Sequence, residues 1–181
     1  GLIEVPMGTT LKEVIFDIGG GIKGDGEFKA VQIGGPSGGC LTEQHLDVSL
    51  DFDSLKKMGA MIGSGGLVVM DNHTCMVEVA RFFMNFTQNE SCGKCVPCRV
   101  GLRQLGLLID DVLNGNATLE TLDFIETTAQ VIADSADCAI GYEAAEMVLK
   151  GIRGFRDDYE SHVLTGRCTC NLNQPVPCVA Q

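Results

Sequence analysis

The second half of the chain carries apolar residues every three or four positions, the spacing that places them on one face of a helix. We predict four helices, over residues 75–86, 100–113, 119–133 and 142–150. The core-facing positions in the first three helices are Val79, Phe82, Phe83 and Phe86; Leu102, Leu105, Ile109 and Val112; and Leu122, Ile125, Ala129 and Ile132. Asn114-Gly115 is a plausible end for the second helix. The links between the segments are short, which indicates an antiparallel helical bundle.

Short runs of β-branched residues separated by Gly and Pro characterise the first half, a pattern typical of strands. We predict strands over residues 2–5, 29–33, 46–50 and 67–70. A short helix over residues 9–15 is capped by Thr9 or Thr10 and supported by Glu13. The predicted fold class is α+β, with a small domain over residues 1–73, a helical domain over residues 74–164 and a tail over residues 165–181.

The net charge of the chain argues against some classes of binding partner. The formal net charge is −11, and the chain has no basic block. This composition argues against nucleic acid and against an anionic membrane surface as partners. No apolar run reaches the ~18 residues of a membrane span, and the first residues do not follow the pattern of a secretion signal. We therefore expect a soluble protein without membrane insertion.

The clearest chemical signal is a set of closely spaced cysteines. The chain has nine cysteines, and Cys92, Cys95 and Cys98 form a C-x2-C-x2-C motif. A cubane cluster needs one thiolate for each of its irons, and this spacing lets one loop supply three of them. Zinc sites are usually built from two separated pairs of ligands, and the chain has no second C-x2-C. We predict a [4Fe-4S] cluster; a zinc-stabilised protein-interaction module without a redox role is the alternative.

Cys138 is the best candidate for the fourth ligand. The predicted helices after Cys98 run out and back over about 15 residues each, so their lengths nearly cancel at ~1.5 Å per residue. Cys138 should then return close to Cys98. Cys40 and Cys75 stand alone in the sequence, and we predict that both are small buried side chains.

The tail places Cys168, Cys170 and Cys178 in a segment with no helical or strand period. Two interpretations stay open: the cysteines have no role, or they form a partial second iron–sulfur site. The last residues, 177–181, resemble the opening of the iron–sulfur domain of glutamate-synthase small-chain-like proteins. Three thiolates alone would hold at best a labile cluster or an adventitious zinc ion.

Two motifs suggest catalysis but lack the required context. Residues 19–24 match G-x-G-x-x-G, yet a helical segment precedes them and a strand follows, the reverse of a dinucleotide-binding unit. Residues 35–39 match G-x-S-x-G, but no helix of the required kind follows. We therefore predict no catalytic residue in this chain.

Residues 90–101, which contain the three closely spaced cysteines, resemble the cluster-binding loop of the NADH-oxidising flavoprotein subunit of respiratory complex I. The same subunit type occurs in NAD(P)-linked hydrogenases and formate dehydrogenases. Residues 137–141 resemble the distal cysteine loop of that family. Residues 33–39 and 65–70 resemble its soluble-ligand-binding β-grasp domain, which is ubiquitin-like.

The resemblance implies an electron-transfer module of an NAD(P)H-linked oxidoreductase. In that family FMN takes a hydride from NAD(P)H and passes single electrons to the cluster. The FMN and NADH sites lie in a Gly-rich domain upstream of the β-grasp domain, and nothing like it occurs here. The chain is therefore expected to be a fragment that does not oxidise NAD(P)H alone. Its implied partners are the upstream flavin domain and other redox subunits, and its implied location is cytoplasmic.

Overall fold

The structure, a computed structural model, describes residues 1–171 of the chain. It divides into two units, the first covering Gly1–Thr74 and the second beginning at Cys75. Within residues 1–171, no helix combines the length and the apolar character needed to cross a membrane.

The first unit is built on a three-stranded antiparallel sheet. Its strands are β1 (Phe28–Ile33), β2 (Cys40–Thr42) and β3 (Leu67–Asp71), in the spatial order β2-β1-β3. Val31, at the centre of β1, pairs with Leu41 on one side and with Val69 on the other. The buried core against this sheet consists of Leu11, Ile15, Val31, Ile33, Leu41, Leu55 and Ala60.

The predicted strands over residues 29–33 and 67–70 are confirmed. The predictions for residues 2–5 and 46–50 are wrong, since the first segment forms no strand and the second forms only an isolated bridge, Thr10 to Ser49. Strand β2 and the short helix α1 (Phe52–Lys57) were not predicted. Three residues of strand are too few to show an alternating pattern, so β2 is set by its partner strand.

The predicted helix at residues 9–15 is present, and it continues as the helical turn Glu13–Ile18. Thr10 and Glu13 cap its start reciprocally: the backbone N–H of Thr10 donates to the Glu13 carboxylate at 2.8 Å, and the N–H of Glu13 donates to the Thr10 hydroxyl oxygen. After β1 the chain makes the 3₁₀ turn Gly35–Ser37 and enters β2. The G-x-S-x-G match over residues 35–39 is therefore followed by a strand, and not by the helix that a nucleophile elbow requires.

The second unit is a bundle of five helices within the described residues. They are α2 (Met76–Glu90), α3 (Leu102–Leu113), α4 (Leu119–Ser135), α5 (Ala139–Gly154) and α6 (Arg156–Thr165). A helical turn, Pro97–Gly101, leads directly into α3. The α+β fold class is thus confirmed, with the strands in the first unit and the helical bundle in the second.

The predicted core faces of α3 and α4 are confirmed, since all eight positions are buried. The predicted face of α2 is wrong: Phe82 and Phe86 are exposed, and the buried positions are Met76, Val77, Ala80, Met84 and Thr87. The last predicted helix is longer than expected at both ends, with Gly151 inside it, and α6 was not predicted.

The two faces of α2 give a direct test of this packing. Met84 is fully buried, whereas Phe82 is 67% exposed. We expect Met84→Ala to lower the free energy of unfolding by about 2–5 kcal/mol, because it leaves a cavity in the core. Phe82→Ala, the matched control, should change it by about 0.5 kcal/mol or less. Chemical denaturation of both variants measures the difference; equal losses would contradict the assigned face.

Candidate metal centres

The loop between α2 and α3 carries the three closely spaced cysteines and is held in shape by an arginine. The Arg99 guanidinium donates to the carbonyl oxygens of Gly93, at 2.6 Å, and Lys94, at 3.2 Å. Gly93 has φ +70°, a backbone conformation that side chains with a Cβ rarely adopt. These contacts fold the loop back onto the helical turn that follows it.

The loop between α4 and α5 brings Cys138 to the same place. Cys138 is the N-cap residue of α5, and its thiol makes no capping hydrogen bond. Backbone N–H groups at the preceding residue, Asp137, and at Cys98 stabilise the thiolate of Cys95, and so hold the pKa of Cys95 below its ordinary value.

Cys98 is the buried member of this set, with 6% of its surface exposed. Burial raises the pKa of Cys98, and the negative charges of Cys95, Cys138 and Cys92 raise it further. A Cβ atom on Gly141, in the first turn of α5, would lie 3.4 Å from the Cβ of Cys98. The structure therefore brings all four predicted cysteines together at one end of the bundle; we call this group the four-cysteine site.

One side of the four-cysteine site faces solvent. Cys92 and Cys138 are exposed and Cys95 is half-buried. Lys94 and Asp137 approach each other across the two loops at 3.7 Å, but both side chains are largely exposed, so this ion pair contributes little. Hydrogen bonds to sulfur and packing, rather than surface charge, hold the two loops together.

A second group of ligand atoms lies elsewhere in the same unit. Within residues 1–171, Cys75, His162 and Cys168 place their sulfur and ring-nitrogen atoms within 4.8 Å of one another. Cys75 Sγ lies 3.3 Å from His162 Nε2, and all three side chains are buried. We call this group the Cys–His site.

Cys170 adds a fourth candidate ligand to the Cys–His site. Contacts with Cys75, His162 and Cys170 stabilise the thiolate of Cys168. The Cys75 contact is the largest of these effects, and together they lower the pKa of Cys168 to about 3 despite its burial. A buried thiolate surrounded by two thiols and an imidazole is a donor set typical of zinc.

Asp158 joins the two segments that carry these ligands. Its buried carboxylate accepts the backbone N–H of Met76, next to Cys75, at 3.1 Å. It also accepts the hydroxyl of Thr169, which stands between Cys168 and Cys170, at 2.5 Å. Asp158 thereby fixes the backbone next to Cys75 and the segment that carries Cys168 and Cys170 against each other.

The two sites differ in the spacing of their ligands. A tetrahedral zinc ion, with Zn–S bonds of ~2.3 Å, places two sulfurs about 3.8 Å apart. The ligand atoms of Cys75, His162 and Cys168 all lie within 4.8 Å of one another, close enough to share one ion. Within the described part of the chain, the four cysteines of the first site form no group of three with all atoms inside 4.8 Å.

The Cys–His site corrects the sequence predictions for two cysteines. Cys75 is buried as predicted, but it lies in a group of ligand atoms rather than alone. Cys168 lies beside Cys75 and His162, which the sequence did not connect with it; Cys178, predicted in the same partial site, lies outside the described residues. His162 precedes the Cys168-Thr169-Cys170 pair by six residues, and this was the available signal. Cys40, predicted to be buried, is only half-buried in β2, and the partial burial of its thiol raises its pKa to about 12.

The four-cysteine site lies within a stretch of the chain that resembles known proteins. Residues 78–162 match the NADH-ubiquinone oxidoreductase-F iron-sulfur binding region. The chain is 46% identical over 172 residues to the NADP-reducing hydrogenase protein HndC of Solidesulfovibrio fructosivorans, covering 95% of this chain and 35% of that protein. It is 37% identical over 168 residues to an NADH-quinone oxidoreductase subunit of Mycobacterium bovis, covering 93% of this chain and 38% of that protein.

A solved structure shows the same fold. An NAD+-reducing [NiFe]-hydrogenase in the H2-reduced state superimposes with a TM-score of 0.77 at 29% identity, covering 91% of this chain and 28% of that one. The chain thus spans about a third of the length of the curated relatives it matches.

The fold and the match to an iron–sulfur binding region define an iron–sulfur protein. More particularly, residues 78–162 match the NADH-ubiquinone oxidoreductase-F iron–sulfur binding region, and the chain is similar to parts of NAD(P)-linked oxidoreductase proteins. The resemblance seen in residues 90–101 and 137–141 is confirmed, and so is the predicted iron–sulfur cofactor. Among the Cys–His residues, the matched region includes His162, its last residue, but not Cys75, Cys168 or Cys170.

Proposed function

We propose that this chain is the electron-transfer module of an NAD(P)H-linked oxidoreductase, holding a [4Fe-4S] cluster on Cys92, Cys95, Cys98 and Cys138. The observation that carries the proposal is the convergence of these cysteines from two loops that are far apart in sequence. When bound, such a cluster accepts and releases one electron at a time.

The residues around the cysteines have separable roles. Cys98 anchors the site in the buried core, and Arg99 fixes the loop that presents the other two neighbouring thiolates. The backbone N–H groups of Asp137 and Cys98 stabilise negative charge on Cys95. The start of α5, at Cys138, adds the positive end of a helix dipole. The exposed sulfurs of Cys92 and Cys138 mark the side from which a redox partner would exchange electrons.

In the longer protein, we infer that electrons reach this site from FMN reduced by NAD(P)H, both bound upstream of residue 1. The similarity to an NADP-reducing hydrogenase protein and to an NADH-quinone oxidoreductase protein supports this assignment. The partners are then the flavin domain and other redox subunits. Residues 1–73 would serve as the β-grasp domain. The cysteines of the described residues form no disulfide, which favours a reducing compartment, the cytoplasm.

A second function is favoured by the Cys–His site. We propose that Cys75, His162, Cys168 and Cys170 bind one structural zinc ion, which ties the start of α2 to the segment after α6. Four protein ligands and burial are typical of zinc sites that stabilise a fold rather than catalyse a reaction. In this proposal the chain binds both a zinc ion and a cluster, at two separate sites, instead of zinc replacing the cluster.

Metal counting on the anaerobically purified chain tests both proposals. We expect about four irons at the four-cysteine site and about one zinc ion at the Cys–His site. The preparation should be brown, and dithionite should bleach its absorption and produce the EPR signal of a reduced cluster. A colourless protein that binds zinc and cannot be reconstituted with iron and sulfide would favour the zinc-stabilised interaction module instead. Iron without zinc would remove the second proposal alone.

A further inference from the structure

The hydroxyl of Ser91 lies against the buried thiolate of the four-cysteine site. Ser91 Oγ is 3.0 Å from Cys98 Sγ. Ser91 is also the C-cap residue of α2, so its position is fixed by the end of that helix. Nothing in the ligand motif itself requires a hydroxyl at this point.

A neighbouring backbone group also bonds the serine oxygen and holds it in place. The N–H of Gly93 donates to Ser91 Oγ at 3.2 Å. The serine oxygen therefore accepts one hydrogen bond, and its own proton is available to a second partner. A thiolate bound to iron has no proton to give, so in the loaded protein Ser91 must be the donor to Cys98.

We propose that Ser91 is a positioning residue that sets the reduction potential of the cluster through an O–H···S hydrogen bond to Cys98. This inference rests on the proposed function, in which Cys98 is a cluster ligand. Reduction adds one electron to the cluster and places more negative charge on its sulfurs, while the hydroxyl proton stays on Ser91. A donor to sulfur stabilises the reduced state more than the oxidised state, which raises the potential.

The burial of Cys98 makes this hydrogen bond effective. Cys98 is shielded from water, whereas Cys92 and Cys138 are exposed to it. Hydrogen bonds are electrostatically stronger in a low-dielectric environment than in water. The donor is also pre-oriented by Gly93, so no reorganisation is needed when charge arrives.

The test is the midpoint potential of the Ser91→Ala variant of the whole chain, measured by mediated titration with EPR detection. We expect the equilibrium constant for one-electron reduction to fall about tenfold, which is about 59 mV to lower potential. Ser91→Thr keeps the hydroxyl and should restore the potential. The parent chain and Ser91→Thr should both show magnetic coupling between the reduced cluster and a proton that exchanges in D₂O. In Ser91→Ala this coupling should be absent.

Ser135→Ala is the matched control, because Ser135 also lies at a helix end close to a proposed ligand, but its hydroxyl donates to the carbonyl oxygen of Val131 rather than to sulfur. Its potential should equal that of the parent chain. A Ser91→Ala variant with about four irons and an unchanged potential overturns this inference and leaves the proposed function intact. If the parent chain itself holds no iron after reconstitution, the proposed function fails instead.

Discussion

Replacing Cys138 by Ser should leave the chain unable to hold a complete cluster. Cys138 lies far from the other three proposed ligands in sequence, yet its charge raises the pKa of the Cys98 thiol and the N–H beside it bonds Cys95. Loss of one thiolate leaves one iron without its protein ligand. We expect the iron content to fall from about four per chain to about three or fewer, with the EPR signal of the reduced [4Fe-4S] form lost. Cys92→Ser, Cys95→Ser and Cys98→Ser should have the same effect.

Cys40→Ser is the control for this experiment. Cys40 is a half-buried cysteine on β2 in the first unit, so its loss should leave the iron content unchanged. Full iron and an unaltered EPR signal in Cys138→Ser would reassign the fourth ligand. Iron loss in Cys40→Ser as well would mean that the metal content reports general instability rather than ligation.

Replacing His162 by Ala should abolish stoichiometric zinc binding while leaving the iron content unchanged. His162 Nε2 lies 3.3 Å from Cys75 Sγ at the centre of the Cys–His site. The binding energy of a structural zinc ion is folding energy, so the loss should also expose the segment after α6 to hydrogen exchange. Asp158→Asn weakens the hydrogen bonds that join the two ligand segments, so it should lower the zinc affinity by about 10–100-fold. His162→Ala should lower the zinc affinity by more. Competition with a chromophoric chelator measures both affinities.

His73→Ala is the matched control, since His73 is an exposed histidine of the first unit. It should bind zinc like the parent chain. Equal zinc affinity in His162→Ala and His73→Ala would show that His162 is not a ligand. Zinc loss accompanied by complete iron loss would show that the His162 substitution unfolds the bundle, and Cys170→Ser would then be the variant to compare with Asp158→Asn.

The spacing of apolar residues correctly predicted the buried face of a helix where the helix has only one apolar face. In α3 and α4 every predicted core position is buried, because each helix carries a single continuous stripe. Helix α2 carries apolar residues on more than one face. The aromatic stripe containing Phe82 and Phe86 looked stronger, but contacts with α3 and α5 bury the stripe of Val77, Ala80 and Met84 instead. Which face is buried depends on partners that the local pattern does not contain.

The two candidate metal sites also differ in how far the sequence alone could predict them. The C-x2-C-x2-C motif was sufficient to predict an iron–sulfur loop, because its spacing suits the corners of a cluster within one short segment. The grouping of Cys75 with His162 and Cys168 was decided only by the tertiary structure. Cys75 lies far from the other two in sequence, and it meets them because α2 and α6 pack in one bundle and Asp158 fixes the chain after α6 against the start of α2. Local spacing determines a site that one loop can build; a site assembled from distant segments exists only once the helices have packed.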